Sequence, residues 1–246
     1  MGHLRCPDLR DRWPSLFRPR TPAGGPLAAR RAAGAGAGCS LRPVRASAVI
    51  GFAFDYISTA SLLAFAPTCA LADESGVPIE WLPVPGNARP AATGAKRGDE
   101  SVSERHSRVR AEYVAMDVAR YARWQGIEIN RDSAGVDSAL ACAGGLWADR
   151  HGVARDYHQQ VFTGFWAGRL DIEDGATLKS VLDGLGAPGF DDRDVEGALA
   201  AHRVSVEDRG VHMLPAYLVE DQVFVGRAHL PMIRWILQGR DGPGPL

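Results

Sequence analysis

The sequence predicts an α/β protein whose small sheet is interrupted by a long block of helices. Three observations carry this. "GFAFDYISTASLLAFA", Gly51 to Ala66, reads as a buried strand that runs into a helix without a proper loop between them. From about residue 105 to 208 one helix-forming segment follows another, most with Asp or Ser near the start and Gly at the end. The chain then returns to strand-forming residues in "PAYLVEDQVFVG", where Glu220-Asp221 suits a hairpin turn.

Taken in order, "AVIGFAFDY" is the first strand, and a helix follows from about Ser58 to Ser75. "VPIEWLPV" alternates like a second strand, which makes a βαβ start. A Gly/Pro/charged loop runs from Pro85 to about Glu104. In "RVRAEYVAMDVARYARWQG" the residues Val109, Tyr113, Met116 and Trp124 recur at helical spacing, and Gly126 closes the helix. Further helices are predicted in "DSALACAGGLWADRHG", "ARDYHQQVFTGFWAG", "DGATLKSVLDGLG" and "DDRDVEGALAAHRVSVEDRG". The last element is a helix from about His229 to Leu237.

Composition bounds the rest. A chain of 246 residues, 46% of them hydrophobic, is long enough for one core with an inserted subdomain. The net charge of −1 argues against a nucleic-acid binder, which needs a basic face to neutralise phosphates. The longest apolar run, around Leu62 to Leu71, falls far short of the roughly 20 residues a bilayer requires. Residues 1–47 carry nine arginines against Asp8 and Asp11, around the low-complexity "PAGGPLAARRAAGAGAG". They read as a disordered arm, either a targeting segment or a start-site extension, with no apolar stretch of the secretory kind. A domain over 48–240, with its helical insertion at about 105–208, and a flexible tail over 241–246 complete the expected organisation. Cys6, Cys39, Cys69 and Cys142 form no C-x-x-C pair, disulfide framework or zinc spacing. Cys6 and Cys39 lie in the arm, whereas Cys69 and Cys142, among small apolar residues, suit buried thiols of a reducing compartment, hence a cytoplasmic protein.

A βαβ beginning, a helical block and a closing hairpin plus helix is the order of a thioredoxin-like fold with an all-helical insertion. "VHMLPAYLVEDQVFVGRAHLPMIRWIL" resembles the end of the DsbA-like thioredoxin family, in which a cis-proline precedes a strand, hairpin and helix. "GFAFDYISTASLLAFA" and "YVAMDVARYARWQGIEI" resemble one branch of it, the 2-hydroxychromene-2-carboxylate isomerases and kappa-class glutathione transferases. The likeness implies that Ser58 and Ser61 occupy the two positions of the redox C-x-x-C. A hydroxyl cannot exchange disulfides, so dithiol chemistry is excluded. The resemblance further implies that Ser58 hydrogen-bonds the sulfur of bound glutathione and that Ser61 belongs to the cofactor site. The Leu214-Pro215 bond is expected to be cis, with the Leu214 backbone free to pair with an extended peptide such as glutathione.

The same residues have plainer readings. Serine is a favoured N-cap, and a proline before a strand often only initiates it. The sequence also departs from the branch: Thr59-Ala60 stand where the isomerases have Pro-Tyr, and Arg227-Ala228 replace an acidic pair that holds the γ-glutamyl amine. Arg227 offers instead a guanidinium fork for a carboxylate, unless it is simply a solvated loop residue. Asp55 would tune the site or act as a cap partner. Trp147, Tyr157, Phe162, Phe165 and Trp166 would either line an apolar pocket over Ser58 or form ordinary core. No base role follows for His151, His158, His202, His212 or His229 from their spacing to acids.

Two functions are therefore expected as alternatives. One is a glutathione-dependent isomerase or transferase acting on a small, carboxylated molecule, with a homodimer favoured by family habit. The other is a non-redox thioredoxin-fold protein that binds ligand as an accessory. Neither predicts disulfide chemistry: with dithiothreitol, the protein should reduce insulin no faster than a blank, and a catalysed rate above it would overturn the exclusion.

Overall fold

The computed structural model describes residues 48–86 and 101–245. The proposed arm over 1–47 lies outside these residues, as does most of the loop after Pro85. The described elements follow the order β1 (Ile50–Phe54), α1 (Thr59–Ser75), β2 (Ile79–Pro83), α2 (Val102–Gln125), α3 (Ala139–Arg150), α4 (Ala154–Trp166), α5 (Gly175–Gly184), α6 (Val195–Asp208), β3 (Ala216–Val219), β4 (Gln222–Val225) and α7 (Leu230–Leu237). A 3-10 turn over Arg227–His229 leads into α7.

The four strands form one mixed sheet in the order β2-β1-β3-β4. β1 pairs parallel with β2, from Ile50↔Ile79 to Phe54↔Pro83, and antiparallel with β3, from Gly51↔Leu218 to Ala53↔Ala216. The hairpin β3-β4 runs in the register Ala216↔Val225 to Val219↔Gln222. This is the thioredoxin-like sheet with a helical insertion that the element order implies.

Alternation along β1 decides what covers each face. Ile50, Phe52 and Phe54 point to the main core, where Phe52 stacks on Tyr217 (5.4 Å between centroids) and Phe54 packs against Phe162 of α4 (5.4 Å). The other side of the sheet is served by small residues: Ala53 joins Leu82, Ala216, Leu218 and Val206 of α6 in a second cluster. Gly51 has the same logic, since a Cβ there would lie 3.0 Å from Leu218 Cβ.

α1 starts where its cap predicts and ends at Gly76 in the left-handed conformation (φ 65°), a position that favours glycine. Pro67 sits in its interior and removes the N–H that would bond Leu63 C=O. Gln125 of α2 supplies the missing donor, with Nε2 3.0 Å from that oxygen. Two elements are therefore joined at the proline.

α2 begins earlier than the loop assignment to Glu104 allowed. Ser101 caps it and Glu104 bonds back to the Ser101 N–H (2.8 Å), a capping box inside what reads as a polar loop. Its apolar residues also differ in role from a core stripe: Val109, Tyr113, Met116 and Trp124 are 52 to 60% exposed, and Ala122 is the one buried residue of the helix. The spacing marked a helix without marking its buried face, because only the end of α2 around Ala122 and Gln125 is seated on α1. Among the described residues, no helix is long and apolar enough to cross a membrane.

α3 meets α4 through Gly144 and Gly145. A Cβ on Gly144 would collide with the Tyr157 hydroxyl, which donates to Ala141 C=O at 3.1 Å. Gly144→Ala should therefore destabilise the fold by about 1–3 kcal/mol, the usual cost of overpacking. A denaturant midpoint within experimental error of the parent would show that the two helices can part without cost.

Candidate functional site

β1 delivers its last residues into the core, and the chain turns at once into α1. Ser58 sits at the junction with extended backbone (φ −93°, ψ 117°), and its Oγ accepts from the Ser61 N–H at 3.3 Å. Its carbonyl accepts from Leu62 N–H at 3.0 Å. The N–H groups of Thr59 and Ala60 have no hydrogen-bond partner among the described residues, as the geometry of a helix start dictates. Ser58 is half-buried and Ala60 exposed, so this donor cluster opens outward at the positive end of α1.

Ser61 does not share that exposure. Its side chain is fully buried, and its Oγ accepts from the Asp55 N–H at 3.3 Å. The hydroxyl of Ser61, expected at a cofactor site, faces inward and supports the turn, away from the open donors at Ser58.

The other half of the site comes from the approach to β3. The Leu214-Pro215 peptide is cis. Because Ala53 is registered with Ala216, the chain just before β3 reaches the same end of the sheet as the β1–α1 junction. Pro215 C=O accepts from Gly226 N–H at 2.8 Å, which joins this loop to the turn after β4. The Leu214 backbone has no hydrogen bond among the described residues, while its side chain packs on the Ala53 cluster.

Arg227 lies beyond Gly226 but is not a bare cation. Its Nη2 donates to Asp117 Oδ2 at 2.8 Å, and its guanidinium carbon stands 3.5 Å from the Tyr121 ring centroid. Both partners come from α2. No spacing rule joins positions so distant in sequence, so this pairing was hidden before folding.

Asp55 is buried, with Oδ1 accepting from Ile57 N–H (3.3 Å) and Oδ2 from Gly86 N–H (3.0 Å). Burial raises its pKa, and the Ser138 side chain and these N–H groups pull it partly back. It braces the junction rather than facing a ligand, but it does not cap α1: Ile57 precedes the helix, Gly86 follows β2, and the cap is Ser58. Tyr157, Phe162, Phe165 and Trp166 are core residues, and Trp147 is only partly buried. Trp166 Nε1 donates to Tyr56 C=O at 2.8 Å. His158, for which spacing suggested no role, lies 2.6 Å from the Tyr56 hydroxyl through Nδ1. Its Nε2 finds no partner.

Among the described residues, no cysteine offers a thiolate at this place. Cys69 and Cys142 are free and buried; burial pushes the Cys69 thiol up to about 11 and raises that of Cys142 as well. Among the described residues, no group of His, Cys, Asp and Glu could hold a metal ion.

Comparison with known proteins agrees with this architecture. The DSBA-like thioredoxin domain matches residues 49–238. No curated protein matches the sequence. Among solved structures, a 2-hydroxychromene-2-carboxylate isomerase is similar at a TM-score of 0.55 and 22% identity, over 78% of this chain and 95% of that one. The cytosolic disulfide reductase DsbM from Pseudomonas aeruginosa, solved with GSH, is similar at a TM-score of 0.53 and 16% identity, over 78% and 98%.

Burial also sets a pH dependence. It lowers the His158 pKa to about 3, against about 6.5 for an unfolded histidine. Between those values the unfolded chain binds a proton that the folded one refuses, so stability falls as pH drops through this window, by up to about 1.4 kcal/mol per unit. Asp55 acts in the opposite sense, because its raised pKa favours the folded state in acid. Denaturant titrations from pH 7 to 4 should give a falling stability that flattens in His158→Gln. An equal slope in the variant would remove His158 as its source.

Proposed function

This chain belongs to the DSBA-like thioredoxin family, and from that premise we propose that it is a glutathione-dependent isomerase or transferase of the 2-hydroxychromene-2-carboxylate isomerase type. The observation that carries the reading is Ser58: a half-exposed hydroxyl at the start of α1, in the place of a redox cysteine, beside two unpartnered N–H groups. Such an end stabilises a thiolate, and the described cysteines, Cys69 and Cys142, are buried with raised pKa values. Glutathione supplies the thiolate. The Leu214 backbone, at the same end of the sheet, provides an N–H and a C=O for a peptide-like ligand in the manner of strand addition.

In this reading the thiolate adds to a conjugated double bond of a small, carboxylated substrate. The former double bond then rotates as a single bond, and the thiolate leaves. A hydroxyl has one donor and two acceptor lone pairs, so Ser58 can accept from Ser61 N–H while donating to sulfur. Capping and catalysis are compatible. The free, buried cysteines support placing the enzyme in a reducing cytoplasm.

Arg227 favours a second reading at one point. Asp117 already occupies the cation, so a ligand carboxylate must share or displace that partner. This suits an accessory protein that keeps the fold and groove without turnover.

Titration with glutathione separates the two. Millimolar glutathione should raise the melting temperature, and Ser58→Ala should lower any glutathione-dependent rate by about 100 to 1000-fold, the range for losing one donor to an anion. The lost cap should cost only about 1 kcal/mol. No thermal shift would move the case to the accessory reading. A rate that merely tracks the folded fraction would reduce Ser58 to a cap.

A further inference from the structure

The chain from Asp55 to Ser58 is a β-turn, closed by a hydrogen bond from Ser58 N–H to Asp55 C=O at 3.2 Å. Its central peptide links Tyr56 to Ile57. That peptide is the mobile part of any such turn, because types I and II differ by turning it over while the ends stay nearly fixed.

Here both poles of the peptide are held. The Tyr56 carbonyl accepts from the Trp166 indole N–H at 2.8 Å. The Ile57 N–H donates to the Asp55 carboxylate at 3.3 Å. Trp166 is 2% and Asp55 4% exposed, so water does not compete with either bond. Each holder is itself fixed: Asp55 by the Gly86 N–H, and Trp166 by its place at the end of α4, whose His158 also meets the Tyr56 hydroxyl at 2.6 Å. One residue, Tyr56, is thus tied to α4 through both its backbone and its side chain.

We propose that Trp166 and Asp55 are positioning residues for the Ser58 site: they lock the Tyr56–Ile57 peptide with its carbonyl turned into the core, so that only donors, the Ser58 hydroxyl and the N–H groups of Thr59 and Ala60, face a bound thiolate. The proposal rests on the anion-binding reading of that helix end. A peptide released from its two partners can swing its carbonyl outward, where the oxygen repels the anion that the helix N-terminus attracts. The insertion therefore contributes to the site without touching the ligand.

A thiol placed at the site reports on it without any need for substrate. In Ser58→Cys the thiol pKa, read from the pH dependence of alkylation, should lie below the ordinary value of about 8.5. Adding Trp166→Phe removes the indole N–H while keeping an aromatic ring, and should raise that pKa by about half a unit or more, within the range of helix-end electrostatics. Trp147→Phe is the control, since Trp147 Nε1 makes a comparable bond to Ala187 C=O (2.9 Å) away from the turn. It should leave the reporter unchanged. Equal shifts in both variants would mean general loosening and overturn the proposal. So would a lowered pKa in Ser58→Cys that Trp166→Phe does not move.

An ordinary pKa in Ser58→Cys itself would fell the functional reading and the positioning role with it. Should Trp166→Phe not fold, Asp55→Ala on the reporter decides, since it removes the acceptor of the Ile57 N–H. Loss of a nearby negative charge alone lowers a thiol pKa, whereas a loosened turn raises it. A rise upholds the positioning role, and a fall or no change overturns it.

Discussion

β1 is buried along its whole length, and Asp55, Tyr56 and Ile57 that follow it stay buried, so this stretch before the open end of α1 has almost no water to bond with. Every polar group there must find a protein partner, because a buried donor or acceptor left unmade costs about 1–3 kcal/mol. The partners come from several directions. Ser61 of α1 takes the Asp55 N–H, Gly86 after β2 takes the Asp55 carboxylate, and α4 takes the carbonyl and hydroxyl of Tyr56. The helical insertion is therefore part of the hydrogen bonding of the junction after β1.

The strand's own alternation makes this possible. Phe52, Phe54 and then Tyr56 present aromatic rings to the side where α4 packs, with Phe54 and Tyr56 edge-to-face at 5.4 Å and Tyr56 and Phe162 at 5.0 Å. Gly51 and Ala53 present almost nothing to the other side, where Leu218 and Val206 close in. Reversing that large and small pattern would move the insertion to the wrong face. α1 is tied independently: its interior proline frees Leu63 C=O, and Gln125 of α2 takes it. The elements flanking the site are thus fixed by bonds that never reach the ligand.

What the sequence made legible is what short-range chemistry encodes. A continuous apolar run ending in Ser58 marked both β1 and the start of α1, and the turn residues Glu220-Asp221 marked the hairpin, with Glu220 taking the positive φ (57°). The order of these elements pointed to the fold, and the candidate site at Ser58 came from the resemblance of the strand-helix junction and of the Leu214-Pro215 segment to the DsbA-like family rather than from the serine alone, which by itself reads as a helix cap. The start of α2 was misplaced because Ser101 and Glu104, though a capping box, stand in a polar stretch that reads as loop. The exposed face of α2 was unreadable because periodicity reports a stripe but not what covers it. Asp117 with Arg227, and Tyr56 with His158 and Trp166, were out of reach for another reason. These pairs are made by the fold across long stretches of chain, and sequence spacing carries no trace of them.

Serine in place of cysteine changes what the protein must supply. A redox cysteine holds its sulfur covalently at the helix end, so small errors in the turn change reactivity but not occupancy. On the function proposed for Ser58, the sulfur would arrive on a ligand, and its translational freedom would be lost at binding rather than during folding. The donors that receive it must already point at one place, or the binding energy is consumed in arranging them. A turn whose central peptide is gripped at both ends, in a buried setting, meets that demand. The more the nucleophile belongs to the ligand, the more rigid the protein that greets it must be, and this junction is held from within at each of its movable points.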